Sequence, residues 1–301
     1  MSKPRCYTAL LNRSDALRPA HNVRAKHFFD GCLSQNKTVI TNYNMEAGLK
    51  QRVLVTAGAS GIGLAIAVAF LGAGADVTVC DVDQNALASA KAAYPDLSGL
   101  VADVGVAEAV HALGAAMHGR LGGLDVLVNN AGIGGPRTPI DEVSDDDWDR
   151  VMKINVTGMF YMVREFAPAM KAQRSGCILN VSTTSTRTGL PDRAPYVVSK
   201  AAVEALTRNL ARELGPFNIR ANTLLPGSIE NERGRALMRA KAEREGITYD
   251  AALQQRLAFI SMRARIDPSE IGDAAVFLAS NAARHITGQQ LSVDGNVEWE
   301  G

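Results

Sequence analysis

From Lys50 onward, short apolar runs alternate with longer segments in which apolar residues recur at helical spacing. The apolar runs predict strands at 53–56, 76–80, 99–102, 124–129, 176–182, 219–224 and 290–293. The helical spacing predicts helices at 63–72, 85–93, 106–121, 148–170, 194–214 and 271–278. Short apolar strands separated by helices are typical of a parallel sheet covered on both faces. We therefore predict a doubly wound α/β fold with about seven parallel strands.

The first 48 residues lack this alternation, carry several basic residues and hold few acids. Three interpretations stay open: a transit peptide, a functional arm, or a non-native leader that precedes a start at Met45. Asp15, Asp30 and a weak amphipathicity count against the transit peptide. We predict a disordered or non-native extension at 1–48 and a single catalytic domain at 49–301, because the composition does not change after residue 50.

A glycine-rich turn, Thr-Ala-Gly-Ala-Ser-Gly-Ile-Gly at 56–63, separates the first predicted strand from the first predicted helix. A strand, a glycine turn and a helix together present backbone N–H groups and a helix N-terminus to a pyrophosphate. The arrangement predicts a dinucleotide-binding sheet of the Rossmann type. A glycine pattern alone is weak evidence, so the prediction depends on residues at the ends of the other strands.

Three of those strand ends carry suitable residues. Asp81 closes the second strand, where a carboxylate accepts hydrogen bonds from the adenosine ribose and repels a 2′-phosphate. No arginine stands in the glycine turn or directly after Asp81, which favours NAD over NADP as the cofactor. Asp103, after the third strand, is predicted to bind the adenine amino group, with Val104 against the ring. Small residues within 129–132 let the cofactor approach the backbone closely.

Tyr196 and Lys200 stand four residues apart in a predicted helix and therefore share one face of it. Free tyrosine is a poor base at neutral pH because its pKa is ~10, but a neighbouring cation favours the phenolate. Such a pair suits proton exchange with an alcohol oxygen while a hydride moves to or from a nicotinamide. The same spacing is common in surface helices, and the upstream glycine turn favours the catalytic interpretation.

Together these motifs resemble the short-chain dehydrogenase/reductase family, in its short single-domain branch. The resemblance covers residues 50–295 and includes Asn-Asn-Ala-Gly at 129–132 and Pro-Gly at 226–227. It implies an oxidoreductase that interconverts a secondary alcohol and a ketone with NAD(H). Tyr196 would be the acid/base, and Lys200 would stabilise the phenolate and bind the nicotinamide ribose.

The resemblance implies further site residues. Thr183 stands thirteen residues before the tyrosine, where the family has a serine that holds the substrate oxygen. Ser182 is the alternative, but alternation along a strand points it to the opposite side. Asn155 matches the family's helix asparagine, which supports a proton relay, and Ile229 is the predicted contact of the nicotinamide carboxamide. The predicted cofactor contacts are Gly58, Ser60, Gly61, Ile62, Gly63, Asp81, Asp103, Val104, Asn129, Ala131, Gly132, Tyr196, Lys200, Pro226 and Ile229.

Two positions depart from the family pattern. Ala57 stands where the family has its first glycine, a change that bears on cofactor affinity. Thr183 keeps the hydroxyl of the family's serine and adds a methyl group, which narrows the pocket.

A long polar stretch at 230–263 occupies the place of the family's substrate lid. Its arginines, and two more between the fifth strand and Tyr196, favour an anionic substrate such as a sugar acid or hydroxy acid. The alternative is a solvated helix face balanced by nearby glutamates. The arginines are Arg187, Arg193, Arg233, Arg235, Arg239 and Arg256. The predicted substrate contacts are Ser185, Arg187, Arg193 and Arg233.

Composition narrows the partners. The net charge of +1 gives no basic surplus for nucleic acid or a membrane surface, and no apolar run reaches the ~20 residues of a membrane span. Four scattered cysteines without Cys-x-x-Cys spacing indicate free thiols in a reducing, cytoplasmic setting, and no metal site is expected.

Two other functions stay open. One is a 3-oxoacyl reductase acting on acyl-carrier-protein or coenzyme A thioesters, which usually prefers NADP, contrary to Asp81. The other is a cofactor-sensing binding protein without turnover, which the intact Tyr/Lys pair disfavours.

The family resemblance implies a homotetramer or homodimer that pairs the helices at 148–170 and 194–214.

Overall fold

The computed structural model describes residues 50–297, except for the side chain of Arg233. The predicted extension at 1–48 and residues 298–301 lie outside the described residues. Seven parallel strands form one sheet in the order β3-β2-β1-β4-β5-β6-β7. The strands are β1 (Arg52–Thr56), β2 (Asp76–Asp81), β3 (Ser98–Val101), β4 (Val126–Asn129), β5 (Gly176–Val181), β6 (Ile219–Pro226) and β7 (Gln290–Val293). The predicted doubly wound parallel sheet is confirmed.

Helices follow most of the strands. They are α1 (Gly61–Gly72), α2 (Gln84–Ala93), α3 (Ala107–Leu121), α4 (Asp145–Met152), α5 (Gly158–Gln173), α6 (Ser185–Thr188), α7 (Ala194–Leu214), α8 (Glu232–Glu245), α9 (Tyr249–Leu257) and α10 (Pro268–Ala279). Single 3₁₀ turns lie at Ile140–Glu142, Gly215–Phe217 and Asn281–Ala283. The stretch at 230–263 thus contains α8 and α9.

The hydrophobic core lies on both faces of the sheet. Side chains alternate along β1, so Val53 and Val55 pack on one face and Leu54 packs on the other. The first face is covered by α1 and α10, whose close contact depends on Gly272: a Cβ there would come within 2.8 Å of Ala65 O. The second face is covered by α3, α5 and α7. Strands buried on both faces explain the unbroken apolar runs in the sequence.

The strand order changes direction at β1, which pairs with β2 on one side and with β4 on the other. In open parallel sheets, ligands bind in the crevice outside the carboxyl ends of the strands at this point. The glycine turn, Asp81 and the residues that follow β4 and β5 all stand at that edge.

The prediction of one continuous helix at 148–170 is wrong. The structure divides it into α4, a π-helical segment at Lys153–Thr157, and α5. The segment contains Asn155, whose side chain bonds to the loop at Ile133 and to Ser199 on α7, contacts that the local periodicity does not encode. Single π-helical turns are frequent at functional sites.

Two of the four cysteines, Cys80 and Cys177, lie within the described residues, where both are free and buried. Cys6 and Cys32 lie outside them. Across residues 50–297, no helix is long and apolar enough to cross a membrane.

Candidate active site

The glycine turn between β1 and α1 is shaped by steric limits at four positions. A Cβ on Gly63 would collide with the carbonyl oxygen of Ala57, and one on Gly58 would lie 2.5 Å from Val79 Cγ1. Gly61 has φ +55°, and nothing lies within 4 Å of where its Cβ would be. Ala57 also adopts a left-handed conformation, with φ +47°, in which an alanine is strained. The family's glycine at this position would carry no such strain.

The N-terminus of α1 is open to an anion. Ser60 makes no side-chain cap, and the first turn contains no acidic residue. The first N–H groups of a helix lack partners within it and carry a partial positive charge. With the open space at Gly61 and Ile62 in the same turn, these residues fit a pyrophosphate group.

Buried polar contacts hold the turn against the end of β4. Thr56 Oγ1 accepts hydrogen bonds from the N–H groups of Asn130 (3.0 Å) and Ala131 (2.9 Å). Asn130 Nδ2 donates to the carbonyl oxygens of Thr56 and Ala57, both at 3.1 Å. Asn129 is buried, and its amide donates to Asn180 Oδ1 at 2.9 Å inside the sheet. Asn129 therefore supports the edge of the sheet, while Ala131 and Gly132 line it.

Asp81 faces the glycine turn from the end of β2. Its Oδ2 accepts from Ala59 N at 3.2 Å, and its Oδ1 accepts from Asp83 N at 3.2 Å. Asp103 is exposed and caps the loop by accepting from the N–H of Gly105 at 2.8 Å. The side chain of Val104 is buried in the core.

Lys200 is a buried cation one helical turn after Tyr196 on α7. Its Nζ donates to Val181 O at 2.7 Å, and a Cβ on Gly132 would lie 3.2 Å from it. Burial lowers the pKa of the Lys200 ammonium from 10.5 to about 8. The Tyr196 ring is half-buried, and the guanidinium of Arg193 stacks 5.1 Å from its centroid. Lys200 therefore lies in the interior, one helical turn from the half-buried ring of Tyr196.

Asn155 joins the π-helical segment to the turn that contains Tyr196 and Lys200. Its Oδ1 accepts from Ile133 N at 2.7 Å, and its Nδ2 donates to Ile133 O at 3.0 Å and Ser199 Oγ at 2.9 Å. Ser199 Oγ in turn donates to Tyr196 O at 2.7 Å. The amide thus fixes the backbone beneath the tyrosine.

The hydroxyls after β5 point in two directions, as strand alternation predicts. Ser182 Oγ is buried against α7, 2.7 Å from Glu204 Oε1 and 3.2 Å from Lys200 O. Thr183 Oγ1 lies 3.3 Å from Ser185 Oγ and accepts from Ser185 N at the same distance. Ser182 therefore bonds to α7, whereas the hydroxyls of Thr183 and Ser185 lie together on the opposite side of the segment.

The segment after β6 closes the edge. The N–H of Thr184 donates to Pro226 O at 3.3 Å, which ties this segment to the hydroxyl loop. Ile229 forms an isolated parallel bridge with Ile266, and its side chain packs against the core. The predicted contact Pro226 therefore stands beside the β5 loop, and Ile229 follows three residues later at the bridge to Ile266.

The arginines separate into two groups. Arg235 pairs with Glu230 and Glu232, and Arg239 pairs with Glu232, so these two balance acids on their own helix. Arg193 is buried beside Tyr196, whereas Arg187 is exposed. Burial and the charge of Arg265 lower the pKa of Arg256. The side chain of Arg233 lies outside the described residues. Of the predicted substrate contacts whose side chains the structure describes, Arg193 is the one whose guanidinium lies against the Tyr196 ring.

Several contributors to this site were not predicted from the sequence. Thr56, Asn130 and Ser199 hold the glycine turn and the tyrosine in position, and Glu204 binds the hydroxyl loop. The only sign of such residues in the sequence is a polar residue at a position where the hydrophobic periodicity predicts burial. Among residues 50–297, no group of three or more His, Cys, Asp and Glu side chains is arranged to hold a metal ion.

The fold and these contacts are those of a nicotinamide-dependent oxidoreductase, and comparison with known proteins specifies the family. A family model described as "Enoyl-(Acyl carrier protein) reductase" (adh_short_C2) matches residues 56–297. The chain belongs to the short-chain dehydrogenase/reductase family and is an oxidoreductase that acts on CH–OH groups.

Three relatives indicate the range within the family. The chain is 36% identical over 255 residues to a 3alpha-hydroxysteroid dehydrogenase of Mediterraneibacter gnavus, covering 82% of this chain and 97% of that protein. It is 36% identical over 184 residues to trans-4-hydroxycyclohexanecarboxylate dehydrogenase of Sinomonas cyclohexanicum, covering 61% of this chain and 64% of that protein. The crystal structure of NAD+-bound xylitol dehydrogenase is similar at a TM-score of 0.77 and 30% identity, covering 82% and 98% of the two chains.

Proposed function

We propose that the chain oxidises a secondary alcohol to a ketone, or reduces the ketone, with NAD(H). The observation that carries this proposal is the buried Lys200 ammonium, held by Val181 O beside Gly132, one turn after Tyr196. A cation buried without an acidic partner is costly, which favours a functional role over a structural one. No ion pair with Lys200 occurs among the described residues.

Each predicted residue has a distinct role in the proposed chemistry. A bound nicotinamide supplies or accepts the hydride. Tyr196 exchanges the proton of the substrate oxygen, and the Lys200 charge favours its phenolate. Thr183 donates a hydrogen bond to the same oxygen, and Ser185 lies next to it. By resemblance to the family, Asn155 holds a water that links Lys200 to bulk solvent in a proton relay, and it also bonds to Ser199 beneath Tyr196.

The preference for NAD over NADP is proposed from Asp81. The N–H groups of Ala59 and Asp83 hold this carboxylate beside the glycine turn. In that position it accepts hydrogen bonds from the ribose hydroxyls. The same charge repels a 2′-phosphate. The NAD+ named for the xylitol dehydrogenase supports the preference, whereas an actinorhodin polyketide ketoreductase with NADPH, 30% identical at a TM-score of 0.77, has the other cofactor.

The proposed substrate carries a carboxylate, as in a sugar acid or hydroxy acid. Arg193 is 6% exposed, and its guanidinium stacks on the Tyr196 ring, so a buried cation lies beside the proposed acid/base. Guanidinium groups bind carboxylates bidentately. The name of the Sinomonas relative, which combines a ring hydroxyl with a carboxylate, supports the same class.

The test compares substrates that differ only in the carboxylate. Trans-4-hydroxycyclohexanecarboxylate and cyclohexanol, with sugar acids and simple hydroxy acids, are mixed with NAD or NADP and followed by the absorbance of the reduced nicotinamide. We expect turnover with NAD and a kcat/KM at least tenfold higher for the acid than for cyclohexanol. An equal kcat/KM would contradict the carboxylate proposal, and no turnover across the panel would contradict the dehydrogenase.

Reduction of a 3-oxoacyl thioester is the second candidate. It is favoured by 34% identity over 207 residues to a 3-oxoacyl-[acyl-carrier-protein] reductase of Staphylococcus aureus. A 3-oxoacyl thioester with NADPH is therefore included in the assay. Turnover restricted to this pair would replace the first proposal, and cofactor binding without turnover on any substrate would favour a sensor.

We also propose that residues 49–301 form one catalytic domain with a substrate lid at 230–263, acting in the cytoplasm as a homotetramer or homodimer. Phe160 on α5 and Val198 on α7 are large apolar side chains left 45% and 43% exposed. These are the helices that the family resemblance pairs across a dimer. Light scattering at several concentrations tests the assembly, and a monomer would contradict it.

A further inference from the structure

Glu204 is a buried carboxylate on α7, one turn after Lys200, that the catalytic proposal does not use. It is 8% exposed. Its Oε1 accepts hydrogen bonds from Ser182 Oγ and Thr186 Oγ1, both at 2.7 Å, and its Oε2 accepts from Gln290 Nε2 at 2.9 Å. A buried carboxylate with three donors is held in one orientation, and Gln290 connects it to β7.

The two hydroxyls that bind Oε1 stand at the two ends of one short segment. Ser182 directly follows β5 and Thr186 lies in α6, and Thr183 and Ser185 stand between them. Thr186 Oγ1 also lies 2.9 Å from Thr183 O, so the backbone of Thr183 is part of the same network. One carboxylate oxygen thus joins both ends of 182–186 to α7.

We propose that Glu204 is a positioning residue that sets the distance and direction between the Thr183 hydroxyl and Tyr196. The inference rests on the proposed function, because Thr183 and Tyr196 must both reach the substrate oxygen. Tyr196 and Lys200 already belong to α7, whereas Thr183 belongs to a loop. Glu204 connects that loop to α7, so the positions of the Thr183 hydroxyl and of Tyr196 are both fixed by the same helix.

The physical basis is the strength and direction of these hydrogen bonds. Hydrogen bonds to a charged acceptor are shorter and about twice as strong as neutral ones. Removing the carboxylate takes the charged acceptor from both hydroxyls, which keep only the backbone carbonyls Lys200 O and Thr183 O. The segment then loses its side-chain connection through Thr186 to α7. A displacement of about 1 Å at a reacting group lowers the rate by up to about 100-fold.

The test uses Glu204→Ala, Glu204→Gln and Thr183→Ala, with Glu213→Ala as the matched control, since Glu213 is an exposed carboxylate on the same helix. We expect Glu204→Ala to lower kcat by about 10- to 100-fold while the dissociation constant for NAD stays unchanged. Glu204→Gln keeps an acceptor oxygen for both hydroxyls and is expected to retain kcat within about fivefold. Glu213→Ala is expected to match the wild type.

A double-mutant cycle separates positioning from general damage. If Glu204 acts through Thr183, adding Glu204→Ala to Thr183→Ala should change kcat less than about twofold. A full, additive loss in the double variant would overturn the inference, as would wild-type kcat in Glu204→Ala. Full activity of both Thr183→Ala and Tyr196→Phe would instead refute the proposed function itself.

Thr186→Val provides a second route should Glu204→Ala fail to fold. This substitution removes the hydrogen bond from Thr186 to Glu204 and leaves the carboxylate bound by Ser182 and Gln290. We expect a loss in kcat of about tenfold with the unfolding midpoint nearly unchanged. An unchanged kcat in Thr186→Val would overturn the inference.

Discussion

Replacing Lys200 by methionine should abolish turnover and at the same time stabilise the cofactor-free fold. Burial lowers the pKa of the ammonium from 10.5 to about 8, so folding at pH 7 places a charge where it is disfavoured. Each pKa unit is worth about 1.4 kcal/mol, which makes the penalty about 3 kcal/mol. The variant loses the hydrogen bond from Nζ to Val181 O, worth about 1 kcal/mol. The expected net gain is about 2 kcal/mol at pH 7.

The stability that Lys200→Met gains over the wild type decreases as the pH rises. Between pH 8 and 10.5 the unfolded chain binds a proton at Lys200 that the native state does not, so the stability of the wild type rises with pH there. The advantage of Lys200→Met is therefore largest below pH 8 and disappears as the pH approaches 10.5. Above that, the lost hydrogen bond makes the variant the less stable protein.

Guanidinium unfolding of both proteins without cofactor, at pH 7, 8, 9 and 10, measures this difference. Lys91→Met is the matched control, because Lys91 is exposed at the end of α2 and should change stability by less than about 0.5 kcal/mol. A Lys200→Met variant that is less stable than the wild type at pH 7, or an advantage that does not narrow with pH, would refute the reasoning.

Three further substitutions examine the cofactor edge. Ala57→Gly relieves the left-handed strain at φ +47° and should raise the free energy of unfolding by up to about 1 kcal/mol, and a loss of stability in thermal unfolding would argue against that strain. Gly63→Ala places a methyl group against the Ala57 carbonyl and should weaken NAD binding in a fluorescence titration by at least about tenfold, whereas unchanged affinity would contradict the close approach. Asp81→Ser removes the carboxylate and should raise kcat/KM with NADP while lowering it with NAD by about tenfold, and an unaltered ratio would exclude Asp81 as the determinant.

Much of the sheet could be predicted from the sequence because local pattern and burial agree there. Strands buried on both faces appear as short apolar runs, and β7 and α7 were predicted with the bounds that the structure has. The shared face of Tyr196 and Lys200 follows from helical geometry alone. The position of Asp81 at the sheet edge follows from where β2 ends.

The remaining features depend on contacts between distant segments, which local pattern does not encode. The π-helical segment contains Asn155, which binds Ile133 and Ser199, 22 and 44 residues away. The position of Ser182 against Glu204 likewise requires β5 and α7 to pack first. The arginines of α8 looked available for a substrate, and only the folded geometry pairs Arg235 and Arg239 with glutamates.

Tyr196→Phe tests the central claim most directly, because it removes one oxygen atom and leaves the ring beneath Arg193. With the acid panel and NAD, we expect kcat/KM to fall by about 10²- to 10⁴-fold. The dissociation constant for NAD and the unfolding midpoint should stay at the wild-type values. Turnover within tenfold of the wild type would contradict the assignment of Tyr196 as the acid/base.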